Sequence, residues 1–174
     1  MKDALAIHRW LLAHQVHHEI VRLPRPMTSA EELPKAVSEA PERCLMVTVF
    51  EVATRVGREV VVAVTSPVAL PPRPGAVGGL LSARQVRYAQ AHVVNAATDY
   101  ADGLVCPLLL PESLPVFIDD RLRVDEGPVF MPIGERHTAL SLRAVDLLTL
   151  LPGKLADLRG TRLRGSRGAV ARRH

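Results

Sequence analysis

His14, His17, His18 and Glu19 put three imidazoles and a carboxylate within six residues, a density that invites a metal site. A catalytic zinc needs about three protein ligands converging from a fixed scaffold, and His17 and His18, as neighbours on an extended segment, point to opposite faces. No metal is expected. The pair Asp119-Asp120 invites acid–base work, but neighbouring side chains on an extended chain diverge in the same way, so a structural or supporting role is expected there. Cys44 and Cys106 are the only cysteines and have no CxxC spacing. They read as small buried thiols, reduced in a cytosolic setting. No self-contained triad emerges from these residues. What remains is the loop Gly103-Leu104-Val105-Cys106-Pro107, the pair Thr28-Ser29, the arginine at position 43, and Gly134-Glu135-Arg136-His137. An imidazole serves as donor or acceptor near neutral pH, so His137 either meets a substrate or is a strand-start histidine satisfied by backbone. Thr28 and Ser29 either contact a ligand or cap the helix that follows.

The elements that must position these residues mix helix and strand without strict alternation. Asp3 to His14 has Leu5, Trp10, Leu11 and Leu12 near helical spacing with Asp3 as a cap, and Val16 to Leu23 reads as a strand closed by Pro24 and Pro26. Thr28 or Ser29 ahead of Glu31 and Glu32 starts a helix that runs to about Ser38. Cys44 to Val52 and Glu59 to Thr65 are Val-rich and flank a Gly57 turn, which predicts an antiparallel pair. Pro67, Pro71, Pro72 and Pro74 predict an irregular segment from Ser66 to Gly79, followed by short helices at Leu80 to Gln85 and Ala91 to Ala97. Pro115 to Ile118, Val129 to Pro132 and His137 to Leu142 are strand candidates, and Ala144 to Leu151 is a helix stopped by Pro152-Gly153. The expected fold class is α+β, or mixed α/β, built as a single domain around one curved mixed sheet with flanking helices.

The chain of 174 residues suits one domain with a real core. Although 48% of it is apolar, no uninterrupted apolar run approaches the eighteen or so residues of a membrane span, so no membrane partner is expected. The first residues scatter charges through their apolar positions, and no export signal is read there; a cytoplasmic protein is expected. The net charge of +4 is unevenly placed, with residues 154–174 carrying +6 and residues 1–153 therefore −2. A domain over 1–153 and a basic tail over 154–174, disordered from Arg159, are expected. Arg159, Arg162 and Arg164 in that tail either hold RNA phosphates or merely keep the chain soluble. A lone Trp10 and few aromatics argue against a stacking platform for single-stranded nucleic acid.

Taken together, Gly103-Leu104-Val105-Cys106-Pro107, then Leu114-Pro115-Val116-Phe117-Ile118-Asp119-Asp120, then Gly134-Glu135-Arg136-His137-Thr138-Ala139-Leu140 resemble the core of the YbaK/prolyl-tRNA editing-domain family, also called YbaK/EbsC-like. The order of the remaining segments, from His18-Glu19-Ile20-Val21-Arg22-Leu23 through Ser29-Ala30-Glu31-Glu32 to the closing Asp-Leu-Leu helix, is similar throughout, from about Leu5 to Leu151. The resemblance implies a free-standing deacylase that hydrolyses the ester of mischarged tRNA without a cofactor, with tRNA and an aminoacyl-tRNA synthetase as partners. It implies that Gly103 to Pro107 supplies oxyanion contacts, with Gly103 and Pro107 shaping the loop, and that a water is positioned by the substrate's own terminal ribose hydroxyl. Thr28, Ser29, Cys44, Leu104, Val105, Cys106, Gly134 and His137 are the implied substrate contacts. The family's strand-start lysine is matched here to Arg43, whose guanidinium holds substrate but transfers no proton. That departure leaves a second reading, a noncatalytic protein of the same fold that binds an aminoacyl-nucleotide-like ligand, RNA or a protein partner.

Overall fold

The computed structural model describes residues 1–159. Asp3 accepts the amide of Ala6 at 3.0 Å and starts α1 (Ala4–Ala13), which buries Ile7 and Leu11. β1 (Glu19–Arg22) follows. Ser29 and Glu32 form a reciprocal capping box around the 3₁₀ turn Ala30–Glu32, which leads into α2 (Leu33–Val37). A second 3₁₀ turn, Pro41–Arg43, delivers the chain to β2 (Leu45–Ala53). β2 returns antiparallel through β3 (Glu59–Pro67), with Ala53 opposite Glu59 and Leu45 opposite Pro67.

The proline-rich segment is more regular than its composition suggests. Pro74 occupies the first turn of α3 (Pro74–Leu81), where its missing N–H costs nothing, so the helix predicted at Leu80 to Gln85 begins and ends earlier. Gln85–Tyr88 is instead β4, added to the outer edge of β2. After α4 (Ala91–Thr98) come β5 (Val116–Asp119), β6 (Pro128–Pro132), β7 (Thr138–Arg143), α5 (Ala144–Leu150) and β8 (Lys154–Ala156).

Mixed helix and strand in a single domain is the fold class, and its strands form two sheets. The order β4-β2-β3-β5-β8 makes a five-stranded mixed sheet, and β1-β7-β6 an antiparallel three-stranded one. The two meet where Cys44 bridges to Phe130. Along β2, Leu45 and Val49 face the main core with Tyr100, Met131 and Leu140, while Phe50 and Val52 face a second cluster with Val77 and Leu158. Strand alternation thus lets one strand serve both cores.

The tail boundary moves. Lys154–Ala156 pairs with β5 and Leu158 is buried, so the chain is part of the fold through Arg159 rather than leaving it at 153. Fully burying a leucine contributes about 1.5–3 kcal/mol, enough to hold that segment down. The disorder expected further on, and Arg162 and Arg164, lie outside the described residues. Among the described residues no helix is long and apolar enough to cross a membrane.

Candidate functional site

The loop between α4 and β5 is pinned at many points before it reaches Gly103. Buried Tyr100 donates its hydroxyl to Leu108 O at 2.6 Å, and the amide of Asp102 donates to Asn95 Oδ1 at 2.8 Å. Gly103 stands at φ +82°, and a Cβ there would lie 2.4 Å from the carbonyl oxygen of Thr28. Only glycine fits so close an approach in the left-handed region. Its carbonyl accepts the amide of Ala30 at 2.9 Å, and that of Leu104 accepts the amide of Gly134 at 2.9 Å. Gly134 shares the φ of +82°, and a Cβ there would sit 2.6 Å from Lys2 O. Two separate segments, 28–30 and 134, therefore clamp the loop through main-chain bonds. The amide of Leu104 is used by Ala101 O, whereas those of Gly103 and Val105 have no hydrogen-bond partner among the described residues.

Gly103 and Val105 line a cleft of about 200 Å³ whose opposite wall is Met46, Val47, Thr48 and Val49 of β2, closed by Tyr88, Ala89, Val94 and Asp102. β4 stops covering β2 at this point, the last contact being Ala89 N–H to Val49 O at 2.9 Å. In a strand a residue's N–H and C=O share a side, and alternate residues share it, so those of Val47 face the same uncovered edge. Thr48, in the same wall, has a buried Oγ1 without a hydrogen-bond partner among the described residues. Asp102 and Tyr88 are the titratable side chains in the wall. The cleft wall brings together the glycine loop, a strand edge and one carboxylate, and holds no lysine, arginine or histidine.

Of the residues matched to the family site, Gly103 and Val105 reach this cleft. Arg43, expected to hold substrate, does not line this cleft. Its guanidinium grips Asp125 with Nη1 to Oδ1 at 3.0 Å and Nη2 to Oδ2 at 2.8 Å, and donates to Pro128 O at 3.1 Å. A bidentate fork of this kind is structural, tying the 3₁₀ turn to the loop ahead of β6. The hydrogen bonds with Asp125 raise the guanidinium's pKa, and those with Arg43 hold Asp125 below the ordinary carboxylate value. Met46 is the first residue of β2 in the cleft wall.

Cys44 and Cys106 are fully buried, and burial pushes each thiol up to about 12. Neither touches the cleft; Cys44 packs with Leu23, Met27, Leu33 and Leu104, so Leu104 too is a packing residue. Pro107 is likewise buried behind the loop. Thr28 and Ser29 cap: the Thr28 amide donates to Glu32 at 2.7 Å, which holds that carboxyl below its usual value, and Ser29 Oγ accepts the Glu31 amide. Their backbone is what bears on Gly103. His137 is exposed and absent from the cleft wall; its carbonyl accepts the amide of Leu23 at 2.8 Å. His18 Nε2 lies 2.8 Å from His8 Nδ1, while His14 Nδ1 lies 2.8 Å from Trp10 O. Asp119 is fully buried and held by Arg121 at 2.7 Å, and Asp120 is held by Arg159 at 2.9 Å. The residues missed were Met46, Thr48, Tyr88 and Asp102.

A clamped glycine loop lies across from an uncovered strand edge within a mixed two-sheet domain. The family model for the aminoacyl-tRNA editing domain matches residues 24–150, and the chain belongs to that family. Three solved structures share the fold. The crystal structure of hypothetical protein APE2540 is 21% identical, covers 87% of this chain and 97% of its own, and has a TM-score of 0.68. A scaffold used for computational epitope grafting is 20% identical over 87% of this chain and 92% of its own, with a TM-score of 0.68. An inferred trans-editing enzyme for prolyl tRNA synthetase is 23% identical over 81% of this chain and 85% of its own, with a TM-score of 0.64. No curated protein matches the chain at a significant level.

Proposed function

We propose that this protein is a free-standing deacylase that hydrolyses the ester of mischarged tRNA in the Gly103 cleft. The observation that carries the reading is that Gly103 and Val105, whose amides have no hydrogen-bond partner among the described residues, line a narrow cleft together with the uncovered edge of β2. Negative charge grows on the carbonyl oxygen as water attacks an ester, and preorganised amides stabilise that charge without having to reorient. The aminoacyl group enters the cleft with its protonated α-amine toward Asp102, the one carboxylate in the wall, and its carbonyl toward the loop. Water adds to the carbonyl carbon, the ester C–O bond breaks, and the ribose oxygen leaves with a proton, giving free amino acid and tRNA. The wall holds no histidine or lysine, and the attacking water is positioned by the substrate's own terminal ribose hydroxyl, as the family resemblance implies.

Incubation with a panel of mischarged tRNAs, following ester loss, tests the reading. Acceleration over spontaneous hydrolysis is expected on at least one substrate. Asp102→Asn is expected to raise KM about three- to tenfold with kcat little changed, the loss of one exposed charge contact of about 1 kcal/mol. Retained binding of an aminoacyl-adenosine with no acceleration on any substrate would leave a binding protein on the editing fold.

A further inference from the structure

Beyond the cleft, the surface around α3 is basic in a way that the composition of the domain does not require. The segment Ala69–Ala76 walls a cavity of about 710 Å³ together with Tyr88, Arg121, Leu158 and Arg159. Tyr88 also lines the Gly103 cleft, so the two spaces adjoin through its ring. On its other side the cavity shares Pro74 and Gly75 with a groove of about 460 Å³ that runs along α3 and is lined by Arg55 and Arg84. Five arginines, 55, 73, 84, 121 and 159, line these two adjacent spaces, here called the track, and no aspartate or glutamate does. Residues 1–153 carry a net charge of −2, so the clustering is a property of placement.

The five are not equivalent. Arg121 is fixed by buried Asp119, and Arg159 by Asp120 and Asp157, which sets their positions and offsets their charge. Arg55, Arg73 and Arg84 are exposed and make no ion pair among the described residues. Tyr88 is 57% exposed and rests on buried Phe50 with ring centroids 5.2 Å apart, so a braced aromatic stands where cleft and track join. A single ring is no stacking platform, and recognition along the track must rest on phosphate.

We propose that this track holds the phosphodiester chain of the RNA leading up to the aminoacylated terminal nucleotide, with Arg55, Arg73 and Arg84 contacting its phosphates and Tyr88 at the turn into the cleft. The proposal rests on the editing reading for the chemistry at the ester. The ligand of the track is a single-stranded RNA end, since a polyanion that also delivers an ester into a cleft of about 200 Å³ must end there. Each phosphate contact releases condensed counterion, so affinity falls with salt at a log–log slope of about −0.7 per contact.

The test uses the full chain and the triple variant Arg55→Gln, Arg73→Gln, Arg84→Gln, whose melting temperature is expected to match the parent. Anisotropy of a labelled single-stranded RNA ending in CCA-3′, without an amino acid, is read against salt, beside hydrolysis of a 2′(3′)-aminoacyl-adenosine and of the matching aminoacyl-tRNA. The variant should bind the RNA at least tenfold more weakly at low salt, with a log–log slope shallower by about two. Its kcat/KM should fall on aminoacyl-tRNA and hold on aminoacyl-adenosine. Unchanged RNA affinity and slope in the variant, or no RNA binding by the parent, overturns the track whatever the cleft does. RNA binding that depends on the three arginines without ester loss on any substrate supports the track and removes the deacylase reading alone.

Discussion

Arg43 and Met46 stand three residues apart at the entry to β2, yet one belongs to a clamp and the other to a cleft. At Arg43 a charged fork meets a carboxylate of matching geometry, and all its reach is used in binding Asp125 and Pro128 to the 3₁₀ turn. From Met46 to Val49 the chain bears no charge, but β4 no longer covers it, and it shares a cleft with Gly103 and Val105. The charged residue is engaged in a clamp, and the candidate site proposed here is made largely of main chain. A bidentate ion pair satisfies both partners and leaves little for a ligand, whereas an uncovered edge opposite fixed amides has its hydrogen-bonding capacity still to be met.

The sharpest way to break this comparison is at Gly103. Gly103→Ala places a Cβ 2.4 Å from Thr28 O in a left-handed conformation, and the backbone cannot slide away because Ala30 and Gly134 hold the carbonyls of Gly103 and Leu104. Strain of this kind costs about 1–3 kcal/mol, and the loop must shift to relieve the contact. Deacylation is expected to drop by at least about a hundredfold, equivalent to about 2.7 kcal/mol of transition-state stabilisation, with a lowered melting temperature. The measurement is kcat/KM on the best substrate of the mischarged panel. A variant within threefold of the parent would move the chemistry away from this loop.

The clamp should respond in the opposite sense. Arg43→Ala is expected to leave kcat/KM within about threefold while lowering thermal stability. Because Asp125 titrates lower in the folded protein than its ordinary 3.8, the clamp's contribution is fully present above about pH 4 and is lost as pH falls through the folded value. The difference in melting temperature between parent and variant should therefore shrink between pH 7 and pH 3. Abolished turnover with unchanged melting would put Arg43 back at the substrate.

How much of this was legible follows from the range of each interaction. Caps are local, so Asp3 for α1 and Ser29-Glu32 for the first 3₁₀ turn could be read directly, as could the long β2–β3 pair and the helix ended by Pro152-Gly153. β4 could not, because Gln85–Tyr88 has four residues and only Val86 of them half-buried, and its pairing with β2 is what makes it a strand. α3 was hidden by its own first residue, since Pro74 at the end of a proline run signals irregularity as readily as a helix start. β8 lies past a helix stop and depends on pairing with β5, thirty-seven residues earlier. For the site, the Gly103 loop was visible as a glycine-to-proline spacing, whereas the fate of Arg43 turns on a carboxylate 82 positions away. The 3₁₀ turn at Pro41–Arg43 is what carries the guanidinium toward that carboxylate and away from the cleft wall.

The smallest effect is expected at the thiols, and it bears on the same contrast. Cys44 lies between the clamp and the cleft in sequence, and Cys106 lies within the loop itself, so either invites a nucleophilic role. Burial raises both to about 12, leaving almost no thiolate near neutral pH, and thiolate is the reactive form. Native protein at pH 7.5, a value of about one unit below an ordinary thiol, is expected to show no fast-reacting thiol toward a disulfide reagent and two after denaturation. Iodoacetamide should leave deacylation unchanged. The folded protein keeps both groups neutral, so their contribution to stability is complete below the unfolded thiol value of about 8.5 and declines as pH rises above it. Activity lost in proportion to one modified thiol would place sulfur in the reaction, and the site would then no longer be one of main-chain amides and a strand edge.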